Sequence, residues 1–479
     1  MMRSLEMLLL VFNIVMLGWI LFAKNKRRRS LLIGFGVSSI MMLLHGVIDG
    51  MRWPMIPAYI ITALPLLIAA SIWVRRDKKD EKRTGRKVQL LKRILATTMT
   101  VIYSAVAVAL PLLLPVFTFE KPAGPYKIGT VTYDWTDQER DEIFTPDTND
   151  KRQLMVQIWY PADAKAKGKT QAYHSDINVF AEGYSQMLNF PKLLFSSIGY
   201  VKTHAIVNVD ISKEEPSYPV LLFSHGLTGN KMQNTFQVEQ LVSQGYIVVG
   251  IDHTYSSTAS IFPDGRVAPL MMPDITSIAD LDKANAQWVE DIQFVLDQIE
   301  ELAANDPDQR FTGRMDMDHV GMFGHSFGGA TSMQVLMRDS RVKAALNMDG
   351  ALYGELRIPE EGLNKPFMMM SADSSVENMK KTTEGSPIDM TKEVLPRFDH
   401  ITKGGNYWMI LKETTHISFT DFVLFSPLFQ LMQGRDIQEG FNLINDYSQD
   451  FFDHYLKQQP FRLIEQHIGE NSDFTLIKD

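Results

Sequence analysis

The apolar pattern changes character once along the chain. Four runs, at roughly 5–23, 31–48, 55–74 and 94–118, are apolar over nearly their whole length and are separated by polar or basic connections. Each approaches the ~20 residues that a helix needs to cross a hydrocarbon core, so four transmembrane helices are predicted. Further on the apolar runs shorten. Pro219-Val-Leu-Leu-Phe-Ser224 and Tyr246-Ile-Val-Val-Gly-Ile251 are continuous stretches of the kind buried in parallel sheets. Later strands are expected at 320–325, Val342–Met348, Phe367–Ser371 and Tyr407–Leu411, with helices near 230–244, 281–304 and 437–456, the last closing the chain. Tyr126–Trp135 and Leu154–Tyr160 are β-rich and end at Pro161, which reads as an opening hairpin. Such alternation predicts an α/β fold, a mostly parallel sheet with helices on both faces.

Lys121-Pro-Ala-Gly-Pro125 marks the change, dividing a membrane domain, 1–120, from a second domain, 121–479. Lys and Arg then set the orientation. The connections at 24–29 and 75–93 are densely basic, whereas the one between them, around Ile48–Pro54, carries only Arg52. Basic loops stay cytoplasmic, so with four spans the second domain is expected on the extracytoplasmic side of a cell membrane. Trp19, Trp53 and Trp73 sit towards span ends, as interfacial aromatics do, and His45 reads as an interfacial or packing residue. No basic segment precedes the first run and no small-residue cleavage site follows it, which argues against a removed signal peptide. The basic run 75–93 reads as a topogenic signal in contact with anionic lipid, not as a nucleic-acid site. The net charge of −8 must fall on the second domain, and this speaks against a polyanion partner. There is no cysteine, so disulfides, thiol nucleophiles and cysteine-based zinc sites are excluded; a disulfide-free external domain suits a bacterial surface.

One stretch carries candidate chemistry. Val320-Gly-Met-Phe-Gly-His-Ser-Phe-Gly-Gly-Ala330 is an apolar strand entering a Gly-X-Ser-X-Gly turn and then a helix. A serine at such a turn has a strained backbone and an exposed hydroxyl, which makes Ser326 the candidate nucleophile. A hydroxyl needs a base, and the base needs an acid to orient it. His416, after the last long strand, fits the serine, acid, histidine order. His325 is read as pointing away on the elbow, His225 as bracing its own loop and His253 as lining the pocket. Two acids end suitable strands, Asp349 and Asp373, and position alone slightly favours Asp373. The loop Ser224-His-Gly-Leu-Thr-Gly-Asn230 follows a strand, so the Leu227 and Phe327 amides are the expected oxyanion donors. The apolar segment within 174–214, with Phe180, Leu188, Phe190, Leu193 and Ile198, interrupts the alternation and reads either as a packing helix or as an interfacial flap.

Several motifs recur in order. They are Val156-Gln-Ile-Trp-Tyr-Pro-Ala162, Phe223-Ser-His-Gly-Leu227, Ile251-Asp-His253, the elbow to Thr331, Ala345-Leu-Asn-Met-Asp349, and His416 followed by Phe419-Thr-Asp-Phe422. In these the chain resembles the plasma and type II platelet-activating factor acetylhydrolases, lipase-like α/β-hydrolases. The resemblance implies an α/β-hydrolase fold, Asp349 as the acid, and Leu227 and Phe327 as oxyanion amides. It also implies no cofactor and no metal, in line with calcium-independent members. The implied substrate is a phospholipid or other lipid ester with a short or oxidised acyl group. Two departures stand out: Gly350-Ala351 replaces the Ala-Trp of animal members, and secreted members lack the four N-terminal spans. The alternatives are a general carboxylesterase, a peptidase and a catalytically silent surface-binding protein. Oligomeric state is not encoded in any of these patterns.

Overall fold

A computed structural model describes residues 2–23, 28–75, 86–271, 274–381 and 388–479. The chain separates into two compact units. The first comprises Met1–Phe117 together with two later segments, Leu194–Val201 and Phe425–Leu428. Its helices are α1 (Ser4–Phe22), α2 (Arg28–Ile48), α3 (Ile56–Arg75) and α4 (Arg86–Leu113). Among the described residues, four helices are long and apolar enough to cross a membrane. The basic connections at 24–27 and 76–85, on which the orientation argument rests, lie outside the described residues.

α4 begins about two turns before the apolar run and stops short of its end. Leu114 precedes Pro115, and a residue before proline is pushed out of the helical region. The interior of this unit is more polar than its sequence suggests. Glu6 and Arg52 are both buried and pair through two contacts, Nε to Oε1 at 2.6 Å and Nη2 to Oε2 at 2.7 Å. Asn13 donates to the Ala58 carbonyl and the Thr62 hydroxyl, and accepts from Ser38. His45 is buried, with Nε2 2.8 Å from the Tyr59 hydroxyl, so it packs and does not face an interface.

The second unit holds strands β1 (Lys127–Asp141), β2 (Lys151–Ala162) and β3 (Thr170–Ala172), helix α5 (Ile177–Leu188), and strands β4 (Lys202–Val207) and β5 (Tyr218–Ser224). It continues with α6 (Thr235–Ser243), β6 (Ile247–Asp252), the small hairpin β7 (Ala259–Ile261) and β8 (Val267–Pro269), and α7 (Ile278–Asn305). Then come β9 (Met315–His325), α8 (Phe327–Arg338), β10 (Val342–Met348), β11 (Phe367–Ala372), α9 (Asp373–Met379), β12 (Tyr407–Leu411), α10 (Pro427–Gln430), whose first two residues belong to the first unit, and α11 (Ile437–Lys457). Two strands absent from the sequence reading, β13 (Gly469–Glu470) and β14 (Phe474–Ile477), follow α11.

The sheet order is β13-β14-β12-β11-β10-β9-β5-β6-β2-β1-β4-β3. From β12 to β6 all neighbours are parallel; β2 is antiparallel to both β6 and β1, giving the expected hairpin. β14 adds antiparallel to β12, and β4, from the insertion, adds parallel to β1. Side-chain alternation along β9 explains the two helical layers. Val320 and Met322 join the core that includes α7 and α8 residues. Gly321 and Phe323 lie against Phe452 of α11 on the other face.

α6 starts at Thr235 and not near 230, because its first amides are captured from a distance: the buried Asp421 carboxylate accepts from Thr235 N (2.8 Å) and Phe236 N (3.2 Å). The same helix fastens the insertion. Glu239 accepts from the His204 and Ala205 amides and from His204 Nδ1 at 2.7 Å. That hydrogen bond raises the His204 imidazole above its ordinary value, against a smaller opposing effect of burial. A raised histidine stabilises fully below the unfolded value near ~6.5 and loses that contribution as pH climbs through the folded value. The melting temperature of the native sequence should therefore exceed that of His204→Gln by more at about pH 6 than at about pH 9. An equal gap at both pH values would remove the linkage.

Candidate active site

β9 ends at His325 and α8 begins at Phe327, which leaves Ser326 alone between them at φ 54°, ψ −119°. A side chain in that region is strained, and the surrounding main chain must hold it there. Ser326 N–H donates to the Met348 carbonyl at 2.8 Å, tying the turn to the end of β10. Room is equally tight. A Cβ added at Gly328 would come within 2.1 Å of the Ser224 carbonyl oxygen, so only glycine lets α8 start against the end of β5.

One residue past β10, Asp349 also has positive φ, 56°, and its N–H donates to the Met370 carbonyl at 2.7 Å. Its carboxylate is buried and accepts from His416 Nδ1 (2.7 Å), Ser375 Oγ (2.6 Å) and Ala372 N (2.9 Å). Burial opposes ionisation here, but these donors and the charge of the imidazole outweigh it and hold the carboxyl below its usual value. His416 Nε2 is 2.9 Å from Ser326 Oγ. With Nδ1 donating to the carboxylate, Nε2 is left as the acceptor for the serine proton. The structure thus brings Ser326, His416 and Asp349 into one hydrogen-bonded line.

Asp373 is elsewhere. Its carboxylate accepts from the Glu413 and Thr414 amides, at 2.7 and 3.1 Å, and from its neighbour Ser374 N. It braces the loop that carries His416 without touching the imidazole.

The loop after β5 lies against the elbow: a Cβ at Gly226 would stand 3.2 Å from Ser326 Cβ. The Gly226 carbonyl accepts from His225 Nδ1 (2.7 Å) and from Gly229 N (2.8 Å). Leu227 N–H belongs to the same trans peptide and therefore points the opposite way. Neither the Leu227 nor the Phe327 amide meets an acceptor among the described residues. Beside them, Leu227, Ile275, Ala284, Tyr353 and Ile388 form a partly buried apolar wall over Leu281, Trp288 and Phe327.

His225 braces its own loop, as expected. His253 does not line a pocket. It is fully buried, stacked on Trp288 at 3.8 Å, with Nε2 2.9 Å from Ser224 Oγ and Nδ1 2.9 Å from Asp291 Oδ2. Asp291 is clamped in turn by Arg152 through Oδ1 (3.0 Å) and Oδ2 (2.7 Å). Burial lowers both histidines, so both are neutral. The reason for the difference is a charge the sequence pattern does not advertise: α7 delivers a buried aspartate beneath the strand end, and the imidazole turns inward to meet it. His325 likewise sits behind the elbow, its ring 4.6 Å from that of His416.

The insertion is an ordinary capped helix over α5, with Phe180 and Tyr184 inside, whereas Phe190 and Leu193 beyond it are exposed.

A mostly parallel sheet, a strained serine between strand and helix, and a histidine and acid on later strand ends define the α/β-hydrolase class. The chain belongs to the family described as platelet-activating factor acetylhydrolase, isoform II, which it matches over residues 115–468. It is 27% identical over 271 residues to a probable 1-alkyl-2-acetylglycerophosphocholine esterase of Arthroderma benhamiae, covering 53% of this chain and 65% of that one, just under two thirds of its length. It is 22% identical over 381 residues to the platelet-activating factor acetylhydrolase of Cavia porcellus, covering 71% and 78%. Among solved structures, a ferulic acid esterase from Streptomyces cinnamoneus is 24% identical with a TM-score of 0.59, covering 76% of this chain and all of that one; this likeness speaks to the fold alone.

The two acids are separable by experiment. Asp349→Asn should lower ester turnover by about 10⁴, because the amide favours the wrong imidazole tautomer. Asp373→Asn keeps one acceptor oxygen for the loop and should cost less than about tenfold. The reverse ranking in steady-state assays would exclude Asp349 as the orienting acid.

Proposed function

We propose that this chain is a membrane-anchored serine ester hydrolase acting on a lipid or phospholipid ester. The observation that carries the reading is the line Ser326 Oγ to His416 Nε2 at 2.9 Å and His416 Nδ1 to Asp349 Oδ2 at 2.7 Å. His416 takes the hydroxyl proton as Ser326 Oγ attacks the ester carbonyl, while Asp349 keeps the imidazole in the correct tautomer and offsets its positive charge. The tetrahedral oxyanion is received by the Leu227 and Phe327 amides, each worth roughly 3 kcal/mol in the transition state. Proton return to the alkoxide releases the alcohol and leaves an acyl-enzyme. Water, deprotonated by the same imidazole, then attacks the acyl carbonyl, and the imidazole passes that proton to Ser326 Oγ as the acid leaves. Every proton is accounted for on His416, so the scheme needs no cofactor or metal.

Three features support a lipid ester as substrate. The donor amides adjoin an apolar wall, four helices suited to a bilayer precede the hydrolase, and relatives are named as a probable 1-alkyl-2-acetylglycerophosphocholine esterase and a platelet-activating factor acetylhydrolase. The acetyl group in these relatives' names favours a short acyl group. With the basic connections on the cytoplasmic side, the hydrolase faces outward.

A fluorophosphonate probe should label the native sequence and leave Ser326→Ala unlabelled; labelling that persists in the variant would rule out this nucleophile. In a panel of esters, short-acyl glycerophospholipids should be turned over faster than long-acyl ones or small non-lipid esters. A preference for small soluble esters would instead favour a general carboxylesterase. Protease added to intact cells should degrade the hydrolase portion, and protection of that portion would contradict the outward orientation.

A further inference from the structure

The side chains that support the reacting groups include a connection that no motif predicts. It begins at Gly226, next to the Leu227 amide. Gly226 N–H donates to Gln233 Oε1 at 3.2 Å. Gln233 Nε2 donates to His325 Nδ1 at 2.7 Å, and His325 Nε2 donates to the His416 carbonyl at 3.0 Å. The partners fix every direction: an amide oxygen must accept from the main-chain N–H, which leaves the amide nitrogen to donate, and an imidazole that accepts at Nδ1 carries its proton at Nε2. Gln233 is itself enclosed, being 1% exposed, and its main-chain carbonyl accepts from Asp421 N–H at 2.9 Å. Burial, helped by the charge of His416, pushes His325 down to about 3, so this tautomer persists at neutral pH.

We propose that Gln233 and His325 are positioning residues that set the separation between the oxyanion loop and the general base. This rests on the assignment of Ser326, His416 and the Leu227 amide given above. The physical case is one of independence. The oxyanion loop leaves β5, the nucleophile leaves β9 and the base follows β12, so three separate strand ends must agree to a fraction of an ångström. Misplacement of about 1 Å in such a constellation costs on the order of 100-fold in rate. The sheet ties the strands together, while their exit loops are placed by separate bonds, such as Asp373 to the Glu413 and Thr414 amides and Asp421 to the Thr235 and Phe236 amides. The Gln233 and His325 side chains bind one loop to the main chain of the other, passing behind the serine. Neither touches substrate, so their loss should reduce turnover and leave substrate affinity in place.

The test is a double-mutant cycle on the full-length protein, using a short-acyl glycerophospholipid in mixed micelles. Turnover is expressed per active site counted by fluorophosphonate labelling taken to completion, so that misfolded molecules do not enter the rate. Gln233→Met and His325→Gln should each lower kcat by about tenfold to 100-fold with KM within about twofold. Because both interrupt one connection, the double variant should fall no further than the worse single one. Singles at native kcat, a loss expressed in KM, or a double variant with the product of both losses would each overturn the proposal. Native sequence and Ser326→Ala run alongside. If the native protein does not turn over the ester, or the alanine variant does, the reading of the site has failed, whatever Gln233 and His325 show.

Discussion

The candidate site depends on a staircase of main-chain hydrogen bonds at the ends of three adjacent parallel strands. Ser326 N–H reaches the last carbonyl of β10, and Asp349 N–H reaches the Met370 carbonyl in β11. Each donor is the residue just beyond its own strand, and each has positive φ. A non-glycine residue in that region costs of order 1–3 kcal/mol, so the ladder behind it must hold the conformation. Because β9, β10 and β11 are buried on both faces, slipping any one of them would misplace a large apolar core as well as one contact. Strain at the serine and the acid is thus carried by the register of the sheet.

That arrangement puts charge where water is scarce, and the surrounding polar groups follow from it. A buried carboxylate survives as a carboxylate only when donors replace its hydration. Asp349 has three, from three different elements. Asp291 achieves the same with Arg152 and His253, and the result resembles the reacting line in composition while differing in purpose. Both groups contain serine, histidine and aspartate within hydrogen-bond reach. Yet Ser224 and His253 are wholly enclosed, whereas the His416 side chain is 48% exposed. Access, not residue identity, separates a scaffold from a site.

This explains what could be read from residues alone. Local signals were legible because their physics is local: the elbow needs small neighbours within a few positions, and parallel strands need continuous apolar runs. Ser326 and the apolar strands of the sheet's centre follow from such signals, and His416 from its place after the last of those strands; the strand order itself does not. Position alone slightly favours Asp373 over Asp349, although both sit just past a strand; the difference lies in where the His416 loop folds back, and it offers its amides to Asp373 and its imidazole to Asp349. His253 was misjudged for a related reason, because its partner Asp291 arrives from a helix nearly forty residues later. Gln233 had no signature at all. A single amide in a polar turn is ordinary until three chain segments meet around it.

The N-terminal unit extends the same lesson. Its spans read as nearly uncharged, yet Arg52 and Glu6 lie buried together, and Arg52 also donates to Ser197 Oγ at 3.2 Å. Ser197 belongs to Leu194–Val201, part of the insertion after α5, and Phe425 stacks on Phe117 at 5.8 Å within the same unit. An ion pair buried this deeply is weak evidence for stability, since desolvation offsets most of its attraction. Removing one partner is another matter, because the other charge would be left uncompensated. The helical unit therefore holds two segments that the hydrolase sequence contributes, one of them only a few residues beyond the loop that carries His416. A tether of four greasy helices would need neither the ion pair nor the borrowed segments.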